Sequence, residues 1–172
     1  MIDVSQALEL LKTHGLDKGR IEHSILVSEF AFDLANKIHS RHPTLELSPE
    51  KVRIAALLHD IGRSEPGDHE INSVAILKRE GFPDLAAIVM HGSMYEISVV
   101  RGNPDPTLLP QTLENKIVAY SDARCKDKLL SLQDRFDEIL SRRALESEKV
   151  ASVRMSMNRH FNMEKELMTL AD

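Results

Sequence analysis

The sequence predicts an all-α fold, on three observations. Apolar residues recur at helical spacing along almost the whole chain. No segment alternates with period two for long enough to be a strand. The seven glycines and seven prolines fall between helical stretches, as punctuation. A length of 172 residues suits one domain, since domains cluster near ~100–150 residues. The expectation is a single bundle of about seven to eight helices over 1–172, with no internal repeat or linker.

Residues 4–13 form the first helix, with Val4, Leu8 and Leu11 on one face, ending at Gly15. Asp17 caps a long second helix over 19–40, whose Ile21, Ile25, Ala31, Leu34 and Ile38 lie on or near one side; His42-Pro43 breaks it. Ser48 as cap, Pro49 at the first position and Glu50 in the first turn start the third. That helix is apolar almost all round through Val52, Ile54, Ala55, Ala56, Leu57 and Leu58, hence buried, and stops at Gly62. A fourth covers about 70–80, and a fifth runs from Pro83 through Met90. The segment 93–108, with Gly102, Pro104 and Pro106, reads as a long loop, a candidate lid carrying Tyr95 and Arg101. A sixth helix spans about 111–124, and two more follow near 129–142 and 145–169.

Composition excludes several classes. The net charge of −5 argues against a general nucleic-acid binder, which needs a basic face. One cysteine, Cys125, forms no internal disulfide and reads as a packed thiol in a reducing compartment. No run of about 18 apolar residues spans a membrane, and the first residues carry no signal-peptide pattern, so the expected location is cytoplasmic. There is no GxxxxGK[ST] loop, GxGxxG, CxxC pair or GxSxG elbow.

The chemistry concentrates in eight histidines. His59-Asp60 closes the most apolar helix in the string LLHDIGRSE, and a buried Asp needs a partner or a metal. His23 lies on the Ile21/Ile25 side of the second helix, and Asp122 follows the apolar run Ile117, Val118, Ala119 in the sixth. Three helices thus bring an imidazole or carboxylate to the core side, which is how bundles build metal sites. Two His and two carboxylates suit one first-row divalent ion such as Mn, Fe, Co, Ni or Zn.

His23, His59-Asp60 and Asp122 resemble the H…HD…D signature of the HD-domain metal-dependent phosphohydrolase superfamily, and His59-Asp60-Ile61-Gly62 matches its HDIG subgroup letter for letter. The resemblance covers roughly residues 20–125, leaving the helices of about 129–169 outside it. It implies hydrolysis of a phosphate ester or anhydride of a nucleotide or related small phosphorylated molecule, with Asp60 and Asp122 as proton acceptors. In dinuclear branches, histidines placed like His69 and His91 hold a second ion and the Asp of the HD pair bridges both. The branch resembled most includes bacterial diadenosine tetraphosphatases, in which a second His commonly follows the His91 position; here that residue is Gly92. Cations for phosphate are Arg63 first, then Arg124 and Lys126. The rival readings are a non-catalytic metal and nucleotide sensor with the same fold, and a helical interaction protein whose His/Asp set is structural. His14, His39, His42 and His160 have no partner at ligand spacing. The C-terminal charges are a solvated face, and Met155, Met157, Met163 and Met168 are packing residues or a homodimer contact.

Overall fold

Side-chain oxygens cap most of the helices in the computed structural model, which describes residues 2–172. Asp3 starts α1 (Val4–Thr13) in a reciprocal capping box with Gln6. Asp17 caps α2 (Lys18–Arg41), and Ser48 with Pro49 starts α3 (Pro49–Leu58). Asp68 caps α4 (His69–Arg79), followed by the single-turn α5 (Pro83–Ala86) and the short α6 (Met94–Val100). Thr112 caps α7 (Leu113–Arg124) and Ser131 caps α8 (Leu132–Arg142); α9 (Ser147–Ala171) closes the chain. The fold is all-α, with nine α-helices and no strand among the described residues. An isolated β-bridge, Cys125 to Leu129, closes the α7–α8 turn.

The core forms around α3. Val52 and Ile54 through Leu58 are all buried, and α2, α7 and α1 pack on it. Each buried Leu or Ile contributes about 1.5–3 kcal/mol, so the C-terminal end of α3 is anchored where the chemistry is expected. α9 crosses the outside, packing on α6, α2, α8 and α7. Met163 is buried there and Met157 and Met168 lean on the core, while Met155 is 45% exposed. No helix is long and apolar enough to cross a membrane among the described residues.

Three sequence expectations change. α3 ends at Leu58, and a 3-10 turn (Ile61–Ser64) carries the chain past Gly62. The cause is α4: Ser73 Oγ donates to the His59 carbonyl (2.7 Å) and accepts from Gly62 N–H (2.9 Å). α4 approaches so closely that a Cβ on Gly62 would overlap the backbone of His69 and Ser73. The fifth helix stops at Ala86 rather than Met90, because the buried Asn115 amide of α7 donates to the carbonyls of Ile88 and Met90 and holds that stretch open. The segment read as a 93–108 loop contains α6, which packs on α9, and a second 3-10 turn (Pro106–Leu108). Arg159 of α9 secures it, donating to both oxygens of buried Glu96 and to the Gly92 carbonyl.

Candidate metal centre

Three histidines are fixed from behind. His23 Nδ1 lies 3.0 Å from the Lys126 carbonyl, His59 Nδ1 2.6 Å from Ala56 O and His91 Nδ1 2.8 Å from Val89 O. A carbonyl only accepts, so each Nδ1 carries a proton and each Nε2 is left to face the carboxylates. That backbone anchoring is the usual way a metal-binding His is oriented.

The Nε2 atoms converge on two carboxylates. Asp122 Oδ1 is 3.1 Å from His23 Nε2 and 3.4 Å from His59 Nε2. Asp60 Oδ1 is 3.5 Å from His69 Nε2 and 3.7 Å from His91 Nε2, and Asp60 Oδ2 is 3.8 Å from His59 Nε2. His91 Nε2 also comes within 4.0 Å of Asp122 Oδ2. α2, the end of α3, the start of α4, the segment after α5 and α7 each supply part of the set. His23, His59 and Asp122 form one compact donor group, and His59, Asp60 and His91 another.

The donors fit a cation. His59 Nε2 and Asp60 Oδ1 are buried without a hydrogen-bond partner. Such atoms carry a desolvation cost of about 1–3 kcal/mol each, which a coordinated ion removes. The protonation states agree. Burial alone would raise the Asp60 carboxyl, but His59, His91 and Arg63 hold it far below the ordinary carboxylate range. Burial opposes ionisation of Asp122 too, and the bond from His23, with the imidazoles of His59 and His91 close by, outweighs it, keeping it well below. His69 is pushed down to about 3, first by burial and then by the charge of His91. His23 and His91 are also penalised by burial, yet end above the ordinary value, through Asp122 for His23 and through Glu70, Asp122 and Asp60 for His91.

The predicted residues divide. His23, His59, Asp60, His69, His91 and Asp122 come together. Arg63 joins them, its Nε–H donating to Asp60 Oδ2 (2.5 Å) and its Nη2 lying 3.0 Å from His69 Nε2. Lys126 lines the adjoining cavity. Arg124, read as a phosphate cation, turns to the opposite side of α7, where it donates to Tyr120 Oη, Glu164 and the Leu130 carbonyl. Residues two apart on a helix do not share a face, so Arg124 cannot accompany Asp122. From the 93–108 segment, Met94 and Ile97 line the site; Arg101 pairs with Glu148 outside it, and Tyr95 is not in the lining. Cys125 is buried and its thiol is pushed up to about 12, mainly by burial, as a packed and unreactive group.

Sequence reasoning missed Glu70. It is buried beside His69, and Oε2 accepts from the backbone N–H of His91 (3.1 Å) and Gly92 (2.9 Å). A Cβ at position 92 would collide with Glu70 Oε1, so Gly92 and Glu70 fit one another. His69, Glu70 and His91 form a third donor group, with ligand atoms within 4.8 Å of one another. The only sequence signal was an acidic residue next to His69 at a helix start, where the dipole also favours one.

Comparison with known proteins shows the family. A family model described as the HD domain matches residues 20–127. An uncharacterized protein of Methanocaldococcus jannaschii is 35% identical over 128 residues, spanning 70% of this chain and 74% of that protein. Proteins named tRNA (cytidine(56)-2'-O)-methyltransferase from Thermoplasma volcanium and Picrophilus torridus are 32% and 30% identical over 143 and 144 residues. Those stretches cover 78% and 79% of this chain, which spans 40% of either relative's length. No solved structure matches.

Proposed function

This chain belongs to the HD domain family, and from that premise we propose that it is a metal-dependent phosphohydrolase, cleaving a phosphate ester or anhydride of a nucleotide or related small phosphorylated molecule. The observation that carries the reading is the pair of orphaned buried atoms, His59 Nε2 and Asp60 Oδ1, at the focus of four imidazoles and two carboxylates. His23, His59, Asp60 and Asp122 would hold one divalent ion of the Mn, Fe, Co, Ni or Zn type; Asp60, His69 and His91 would hold a second. A bound ion of this kind would lower the pKa of water to about 7, supplying a nucleophile at neutral pH.

The protein's own groups do the rest. Asp60 and Asp122 are ionised at neutral pH, so each serves as a ligand or takes a proton from the attacking water. The Nδ1 anchors on Lys126, Ala56 and Val89 keep the imidazoles in one orientation through turnover. Arg63, tied to Asp60, keeps further N–H groups for a phosphate oxygen. The methyl transfer in two relatives' names describes proteins of which this chain spans 40%, and the donor set here suits phosphate hydrolysis instead.

The test is metal content by elemental analysis after loading and desalting, with phosphate release measured on the same samples. About two ions per chain supports the set that includes His69 and His91, and about one supports His23, His59, Asp60 and Asp122 alone. No bound ion, or no phosphate release from any nucleotide mono-, di- or oligophosphate, overturns the reading.

A further inference from the structure

We propose that α8, together with Lys126, is a phosphate-gripping wall that selects ligands carrying several phosphate charges beyond the one at the metal centre. The proposal rests on the phosphohydrolase reading above for its placement of the scissile group. α8 lies outside the residues that match the family model, which end at 127.

The wall is built from cations that share too few carboxylates. Glu138 alone receives Lys126 Nζ (3.4 Å), Arg142 Nε (3.3 Å) and Arg135. Just past α8, Glu146 at the start of α9 alone receives Arg143 (3.2 Å) and Lys149 (2.5 Å). Five cations on two carboxylates leave three positive charges on one face of a chain whose net charge is −5. Like charges so gathered repel, and an anion that enters among them relieves the repulsion.

The cavities give that anion a path. One, of about 500 Å³, opens on the His23 and Asp60 side; the other, of about 360 Å³, opens on the His69 and His91 side. Arg63, Arg135, Arg142 and Arg143 line both, so one row of guanidiniums runs past the metal centre from one cavity to the next. Arginine meets phosphate oxygens in a bidentate way, and a row of them suits consecutive phosphates. Among the described residues no Phe, Tyr or Trp lines either cavity, so the aromatic stacking that single-stranded nucleic-acid grooves rely on is largely absent. The ligand class is therefore a small oligophosphate-bearing molecule.

Glu138 supplies a test with a sign. It occupies the cations that a phosphate would use, so it competes with the ligand. Calorimetric titration of the metal-loaded 172-residue protein with magnesium-saturated tripolyphosphate and with orthophosphate reads binding, at a temperature and over a time in which a phosphate assay of the same sample finds no release, with metal content checked afterwards. Tripolyphosphate is expected to bind at least about tenfold tighter than orthophosphate. Arg142→Gln should weaken tripolyphosphate by about three- to tenfold and orthophosphate little, and Glu138→Gln should tighten tripolyphosphate by a similar factor. Equal affinities for the two anions, or weaker binding in Glu138→Gln with an unchanged melting temperature, would overturn the wall. A short single-stranded oligonucleotide of equal charge that binds more tightly than tripolyphosphate would also overturn it. The two readings fail separately: charge-graded binding without phosphate release sinks the hydrolase, and phosphate release with equal affinities sinks the wall.

Discussion

Asp60 faces two ways: Oδ2 accepts the Nε–H of Arg63 at 2.5 Å, while Oδ1, buried, has only the Nε2 atoms of His69 (3.5 Å) and His91 (3.7 Å) before it. One carboxylate thus joins the proposed metal donors to the nearest phosphate cation. Losing it affects both at once.

Asp60→Ala is therefore expected to lower phosphate release by at least about a hundredfold and to reduce bound metal, with helix content near wild type. The helix content follows because α3 is held by Leu57, Leu58 and their neighbours, not by Asp60. Circular dichroism, elemental analysis and a phosphate assay on one preparation check all three, and turnover above roughly a tenth of wild type rejects the role. Each lost charged hydrogen bond or ligand is worth several kcal/mol in a transition state, and every 1.36 kcal/mol is tenfold in rate.

Glu70 gives a prediction about assembly. Its Oε2 satisfies two backbone N–H groups in the segment that carries His91. Glu70→Ala leaves those donors without their partner, and the expected cost is about 1–3 kcal/mol of stability. It also frees His91 from its position, so metal content should fall by about one ion per chain if two are bound in the wild type. Gly92→Ala should act alike, since its Cβ takes the place of Glu70 Oε1. Wild-type metal content and melting temperature in both variants would separate Glu70 from the site.

How much of this was legible in the sequence depends on distance along the chain. His23, His59, Asp60 and Asp122 sit on or just after helices rich in apolar residues (α3 is apolar almost all round, and Asp122 follows Ile117, Val118 and Ala119), so their apolar surroundings point them inward. His69 and His91 were reachable through spacing and resemblance. Arg124 was misjudged because nearness to Asp122 in sequence says nothing about helix face, and two positions turn a side chain nearly to the other side. The early end of α5 depends on Asn115, more than twenty residues later, and no local signal at 83–90 announces that bond. Lys126 is a phosphate candidate from its nearness to Asp122 in sequence, but its pairing with Glu138 depends on where α8 packs, which no local signal announces.

Metal affinity should fall steeply with acid. His23 and His91 are held above the ordinary His value by neighbouring carboxylates, so in the metal-free protein they bind protons that an incoming ion must displace. The sign in the absence of metal is the reverse: that protonation stabilises the fold below the unfolded value of about 6.5 and is lost as pH rises through the higher folded values. Below about pH 6.5, metal affinity is expected to drop by more than tenfold per pH unit, reflecting more than one displaced proton. Chelator competition at several pH values reads the slope, and a slope below one proton per ion refutes the assignment.

His160 tests acid stability away from the metal donors. It is buried, its Nδ1 lies 2.9 Å from Ser156 O, and its ring packs edge-on against Phe136. Burial, helped by the charge of Arg159, pushes it down to about 4. The unfolded chain takes up that proton near pH 6.5, while the folded chain does not until about 4. Stability is therefore full above about 6.5 and falls as pH drops toward 4, by on the order of 2 kcal/mol at pH 5. In metal-free protein, His160→Gln should remove this part of the acid dependence, so the melting temperature would decline less between pH 6.5 and 4.5 than in wild type. NMR titration gives the direct reading: the His160 ring resonances should stay in the neutral form down to about pH 5, and a midpoint near 6.5 would show that burial does not hold the ring neutral.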